Sequence, residues 1–458
     1  MKVDLLIDNG VIVVPKGGLF KGCLGITGER IVGMYESSSG ISARDKIDAQ
    51  GNYIIPGVLE PHVHYGYFGS FEEHFDTETA SAALGGITTV IPFYRDYGAQ
   101  ASRYENFPSM KALAEKNSHI DFSFHLGIIT WDQLMNVGKY IEEYGVTSFK
   151  FYMAYKGAEA KTTGMVGNEC DDGFLLEAFS VLAKFPRAVA CVHAENIEII
   201  LTLTKKYQEE GRDGLGVWSD CRPSIAEAES VHRAITFAKA TSCSLYIVHL
   251  SSRQALEEVR RSKVGYPKIF VETCPHYLTL TKDSPLGGLG KVNPPLRSSE
   301  DTEALWRGIS EGLVDTIGTD HCPNPRETKT GDIWSARPGF PGSATMLPIL
   351  LSEGVNKKRI SLERVAEITS CNTAKIFNLF PRKGTIQVGS DADLCIVDLN
   401  LSKKVEAKML QSQSDFSLYE GWDLKGWPTL TMVRGKIVMK DGGIVGPKGH
   451  GRYIPTIQ

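Results

Sequence analysis

Hydrophobic and polar positions fall into three regimes along the chain. At the amino end, short β-rich runs alternate with turns: Leu5-Leu6-Ile7, then Asn9-Gly10, then Val11-Ile12-Val13-Val14, and later Arg30-Ile31-Val32-Gly33. This is the grammar of antiparallel strands joined by tight turns. The carboxyl end returns to it in Gly384-Thr385-Ile386-Gln387-Val388, Leu394-Cys395-Ile396-Val397 and Met432-Val433-Arg434-Gly435-Lys436-Ile437-Val438. Residues 1–54 and 383–458 are therefore expected to build one small β-sandwich domain. Between them, over 55–382, short and almost continuously apolar runs are separated by stretches of helical period, the pattern of buried parallel strands alternating with helices. Eight such runs stand at 57–64, 88–93, 121–128, 148–153, 188–193, 244–249, 268–274 and 315–320. They suit an α/β fold, a (β/α)8 TIM-like barrel, whose active site lies at the carboxyl ends of its strands. A doubly wound open sheet is the alternative.

Composition narrows the function without choosing it. A chain of 458 residues with 42% hydrophobic content has room for a barrel and a companion domain. Fifty basic against fifty-four acidic residues give a net charge of -4, with no basic block to track a phosphate backbone, so nucleic acid is not an expected partner. The longest apolar runs, such as 245–250, stop far short of the roughly 20 residues of a membrane span, and Met1-Lys2-Val3-Asp4 opens a strand-like segment rather than a signal peptide. A cytoplasmic protein without membrane contact is expected. The nine cysteines form no CxxC pair, which points to reduced, buried thiols.

Metal-capable side chains collect at the ends of the runs. The first closes with His62-Val63-His64, and strand alternation sends both imidazoles to one face, where they can share an ion. The fifth ends at His193, the sixth at His249 and the eighth at Asp320. Each histidine alone reads more often as a hydrogen-bonded core or surface residue. Four histidines and an aspartate at one end of one barrel read as a metal site. In the fourth run Lys150 sits between Phe149 and Phe151, and alternation that turns the phenylalanines toward the helices turns the lysine inward. Burial drives an amine toward its neutral form, which can react with CO2 to give an anionic, two-oxygen carbamate. A lysine paired with a carboxylate or reaching to solvent is the other reading.

From His62-Val63-His64 through Lys150, His193, His249 and Asp320, the chain resembles the cyclic amidohydrolases of the amidohydrolase superfamily over essentially its whole length. Gly85-Gly86-Ile87-Thr88-Thr89, Val192-His193-Ala194-Glu195-Asn196, Val248-His249-Leu250-Ser251-Ser252, Glu272-Thr273-Cys274-Pro275-His276-Tyr277, Asn293-Pro294-Pro295-Leu296-Arg297 and Gly318-Thr319-Asp320-His321-Cys322-Pro323 carry the likeness further. The resemblance implies two divalent metal ions, with zinc expected. His62 and His64 would bind one and His193 and His249 the other, a CO2-derived carbamate on Lys150 would bridge both, and Asp320 would bind metal and shuttle protons. A bridging metal hydroxide would then open a cyclic amide to an N-carbamoyl amino acid.

Phe149-Lys150-Phe151-Tyr152-Met153-Ala154-Tyr155-Lys156 looks like the hydantoinase and dihydropyrimidinase version, in which Tyr155 would donate to the substrate carbonyl. Dihydroorotases carry an arginine shortly after the paired histidines, where this chain has His64-Tyr65-Gly66-Tyr67, which argues against a carboxylate-bearing ring. Allantoinases share Cys274-Pro275-His276-Tyr277 and are the runner-up. A catalytically silent dihydropyrimidinase-like scaffold is the rival of another class, opposed by the filled ligand positions. The chain departs from the hydantoinase pattern at Asn293-Pro294-Pro295 and around Arg337-Pro338-Gly339-Phe340-Pro341-Gly342, places where the family contacts the ring amide largely through backbone. Tyr155 and Asn293 are the expected ring contacts, and Tyr65, Phe93 and Tyr152 candidates for the pocket that receives the ring substituent. A small cyclic amide or ureide is the expected partner, and a homotetramer the expected assembly.

Overall fold

The computed structural model describes residues 2–95, 104–162, 165, 167–168 and 170–456. It falls into two units: Met1–Ile91, Ala112–Ser123 and Pro341–Ile454 form the first, and Pro92–Lys111, Phe124–Phe340 and Pro455–Gln458 the second.

In the first unit both chain ends enter one mixed sheet of nine strands. Its order is Gly443–Ile444, Lys436–Lys440, Asp423–Val433, Leu394–Lys404, Tyr53–Pro56, Lys2–Val14, Gly18–Thr27 and Arg30–Tyr35, with Ser42–Asp48 added to Lys2–Val14. Lys2–Val14 is the hub. One edge runs antiparallel to Gly18–Thr27, while the other pairs in parallel first with Ser42–Asp48 and then, from Val11, with Tyr53–Pro56. The register slips between Ile7 and Gly10, where Asn9 takes a left-handed φ of 59°, a conformation asparagine tolerates better than most residues. Ile7, Ile12, Leu24, Ile54, Leu394 and Met432 fill the core beneath this sheet.

A second sheet has the order Val58–Val63, Ile87–Tyr94, His125–Gly127, Ser148–Tyr152, Val189–His193, Ser244–Ile247, Ile269–Thr273 and Thr316–Ile317, with Asp121–Phe122 also paired to Ile87–Tyr94. From Ile87–Tyr94 onward the registers are parallel. Helices such as Phe71–Leu84, Asp172–Leu182, Ile197–Glu209, Arg253–Lys263 and Ser299–Ser310 stand between successive strands. Eight strands in chain order with intervening helices are the topology of a (β/α)8 barrel.

All but one of the eight runs are shorter as strands than their apolar patterns, two of them markedly. The run 121–128 breaks into Asp121–Phe122 and His125–Gly127, because the Phe122 N–H donates to Arg452 O, a partner from the far end of the chain. The run 315–320 is strand only at Thr316–Ile317.

Candidate metal centre and active site

Candidate donors occur in both units. In the first, Val58–Val63 is buried throughout and carries His62, with His64 one residue past its end. The two rings lie 5.2 Å apart, edge to face, and each offers a ring nitrogen within 4.8 Å of the other's. Glu60 accepts from the His62 backbone N–H at 2.8 Å, which fixes the chain leading into the pair. Tyr65 follows and packs edge-on against Phe75 at 5.4 Å. Its burial, with Glu78 and Glu60 nearby, drives the phenol pKa well up, so it stays a neutral phenol.

In the second unit, alternation along Ser148–Tyr152 sorts the side chains. Phe151 meets Phe174 and Phe179 of helix Asp172–Leu182, at 6.5 and 6.1 Å. Lys150 points the other way, with its Nζ 4.5 Å from the centre of the Phe93 ring and 5.5 Å from that of Tyr152. It makes no ion pair among the described residues and is 1% exposed. Burial pulls its pKa from 10.5 down to about 7, against Glu272 and Asp320, which favour the ammonium. The same burial lifts the Glu272 carboxyl to about 8. Neither group therefore serves as a full counter-charge to the other.

His193 is the last residue of Val189–His193. Its Nε2 meets Glu195 Oε2 at 2.7 Å, which commits that nitrogen and leaves Nδ1 as the donor toward a metal. The His249 ring lies 4.5 Å from that of His193, near enough for both to serve one ion. Tyr155, three residues past its strand, places its ring 5.1 Å from His193. His249 and Asp320 lie beyond their strands rather than at the strand ends, two residues after Ile247 and three after Ile317. Both are left-handed, with φ of 40° and 53°. That conformation interrupts regular strand geometry, and non-glycine residues held in it cluster at functional sites. Glu272 supports the first of these turns: Oε1 accepts from the His249 N–H at 2.9 Å and Oε2 from the Tyr246 hydroxyl at 2.8 Å.

In the second unit, the His193 imidazole with its outer nitrogen committed to Glu195, the His249 ring beside it, a buried amine near neutrality and a carboxylate on a strained turn make a nitrogen-and-oxygen donor set that fits divalent cations of the zinc class. The supporting residues were hidden in sequence. Glu195 lies inside a motif but carries no signal of its own, and its partner Arg222 is fully buried, holding Glu195 at 3.1 Å and Glu159 at 2.7 Å. Burial alone would raise the Glu195 carboxyl, yet Arg222 and His193 hold it down at about 2. Asn293 is 6% exposed. Phe93 also stacks on His125 at 4.4 Å, so it and Tyr152 flank the buried amine.

The Amidohydrolase family profile matches residues 53–438. The chain is 34% identical to an L-hydantoinase of Paenarthrobacter aurescens, covering 98% of both chains. It is 35% identical to a D-hydantoinase of Geobacillus stearothermophilus, covering 98% of this chain and 96% of that one. Among solved structures it superposes on an L-hydantoinase (dihydropyrimidinase) from Arthrobacter aurescens with a TM-score of 0.92 at 32% identity, covering 99% and 100% of the two chains. A dihydropyrimidinase from Brevibacillus agri gives 0.89 at 30%, covering 98% of each.

Proposed function

This chain belongs to the Amidohydrolase family, in its hydantoinase and dihydropyrimidinase branch, and from that premise we propose that it hydrolyses a hydantoin or dihydropyrimidine ring to an N-carbamoyl amino acid. His62, His64, Lys150 as its carbamate, His193, His249 and Asp320 would hold two divalent cations, with zinc the first choice. Such cations supply hydroxide from water at neutral pH and polarise the ring carbonyl. Asp320 takes the proton of the attacking water and returns it to the departing ring nitrogen. The Tyr155 phenol donates to the carbonyl oxygen as negative charge develops there, an interaction stronger in the transition state than in the ground state. Glu195 keeps His193 in one tautomer and orientation.

The observation that carries this reading is Lys150: a buried amine that makes no ion pair among the described residues, flanked by Phe93 and Tyr152. A structural lysine would be paired. Allantoin is not favoured as substrate, because the relatives that match along nearly the whole chain are hydantoinases and dihydropyrimidinases. The test couples metal analysis of the purified protein with a panel of hydantoin, dihydrouracil and allantoin. Two equivalents of metal and opening of hydantoin or dihydrouracil are expected. Lys150→Ala should lose bridged metal together with activity, on the order of a thousandfold, because groups that act as a unit fail as a unit. Full turnover with two metals bound in that variant would remove the carbamate from the mechanism.

A further inference from the structure

A cavity of about 340 Å³ opens beside Asn293 in the second unit, lined among others by Glu159, Trp218, Lys291, Trp334 and Arg337. Its walls are built rather than incidental. The Trp218 indole N–H donates to Val292 O and that of Trp334 to Arg212 O, both at 3.0 Å, and the two rings meet edge to face at 6.2 Å. The loop at its rim is tied down by Lys329, whose Nζ donates to the carbonyls of Lys291, Arg337 and Gly339. That lysine has spent all three of its donors on backbone.

Lys291 is 4% exposed and sits in the wall. Its Nζ lies 4.1 Å over the Trp218 ring and makes one long hydrogen bond, 3.3 Å to Trp334 O, so two of its three donors are uncommitted among the described residues. Asn293 Oδ1, buried in the same wall, has no donor among the described residues. The one carboxylate in the lining, Glu159, is already held by Arg222 at 2.7 Å. A buried ammonium with spare donors, Arg337 at the rim, an unmatched amide oxygen and two fixed indoles make a site for an anion attached to an organic group. The cavity is tied to the candidate ligand His193 through a run of buried pairs: Glu159 in its lining and Glu195 share Arg222, and Glu195 holds His193.

We infer that this cavity is the subsite for a ring substituent ending in a carboxylate, which Lys291 binds by charge-assisted hydrogen bonds while Asn293 Oδ1 accepts from a ring N–H. The inference rests on the ring-opening reading above and names its substrate class. It differs from a dihydroorotase-type site in that the carboxylate hangs from the substituent, not the ring.

The experiment compares kcat/KM for 5-(2-carboxyethyl)hydantoin with that for 5-propylhydantoin, using hydantoin itself as the control. The carboxylate should be preferred by about ten- to a hundredfold, the range a charge-assisted hydrogen bond supports. Lys291→Met should bring that ratio close to one, and Lys291→Arg, which keeps the charge, should retain most of it. Opening of the propyl compound without preference for the carboxylate in the wild-type enzyme overturns this inference and leaves the proposed function standing. A ratio unchanged in K291M overturns the role of Lys291, and wild-type data alone decide the substrate class should K291M fold poorly. Failure to open hydantoin or either derivative overturns the proposed function, and this inference with it.

Discussion

Two buried lysines show what decides whether a charge is structural or chemical. Lys383, in the first unit, is 0% exposed at its side chain and lies within 3.0 Å of carboxylate oxygens of Asp391 and Asp393, with Asp121 closer still. Arg434 pairs with the same Asp121, and Arg382 and Arg30 with Asp391. Lys150, in the second unit, is as deeply buried and has aromatic faces where Lys383 has carboxylates. Burial alone would strip the proton from either. For Lys383 the three aspartates override burial and hold the ammonium well above its ordinary range, whereas for Lys150 burial wins and the amine falls to about 7. The same side chain is thus an anchor in one place and, in the other, a buried amine of the kind the proposed carbamate needs. The difference lies entirely in what was placed around it.

Breaking the anchor should have the largest effect. Lys383→Met leaves three buried carboxylates short of a cation, and loss of one partner from such a cluster costs about 3–5 kcal/mol. Denaturant midpoints of wild type and variant measure it, and a cost near zero would mean that the surrounding arginines already neutralise the cluster. The pH dependence sharpens the point. A group whose folded pKa is raised contributes stability that is complete below its unfolded value and is lost as pH climbs through the folded one. The gap between wild type and K383M should therefore narrow in acid, where the stranded carboxylates protonate, hold on the alkaline side of neutrality up to pH 10.5, the unfolded lysine value, and narrow again above it. A gap that widens there would reverse the assignment.

How much of this could be read from the chain depends on sequence distance. His62-Val63-His64 is local, and so is the inward turn of Lys150 between two phenylalanines, because strand alternation acts over neighbouring residues. The barrel was legible for the same reason: its runs are short, apolar and separated by stretches of helical period. The Lys383 cluster was not, since its ion pair with Asp121 joins residues 262 apart. Arg222 reaches back 63 residues to Glu159, and nothing near it marks an arginine destined for full burial. The left-handed turns at His249 and Asp320 were also invisible, because neither is a glycine or asparagine that would announce such a backbone. Pattern finds the strands, and only folding finds the partners.

Between the two lysines stands Glu195, a buried carboxylate that pairs with Arg222 and also holds His193, which the proposed function makes a metal ligand. Glu195→Gln keeps the shape and removes the charge. Removing an outer hydrogen-bond partner of a ligating histidine lowers metal affinity by about 10- to 100-fold. Competition with a chromophoric chelator reads this directly. An unchanged affinity would leave Glu195 as a partner of Arg222 alone.

The smallest expected effect is the one that tests the comparison most closely. Lys150→Met replaces a buried amine by an apolar chain of similar length, among Phe93 and Tyr152, and such volume-conserving swaps usually cost less than about 1.5 kcal/mol. Because Lys150 forms no ion pair among the described residues, no carboxylate is left stranded when it goes. Glu272, the nearest acidic group acting on it, is already pushed up to about 8 and keeps its bonds to Tyr246 and the His249 N–H without the lysine. The metal-free variant should therefore unfold within about 1 kcal/mol of the metal-free wild type, while failing to take up bridged metal. Urea denaturation of both proteins after chelation makes the measurement. A loss comparable to that of K383M would show that Lys150 is a paired ammonium after all, and the two lysines would then differ in location only.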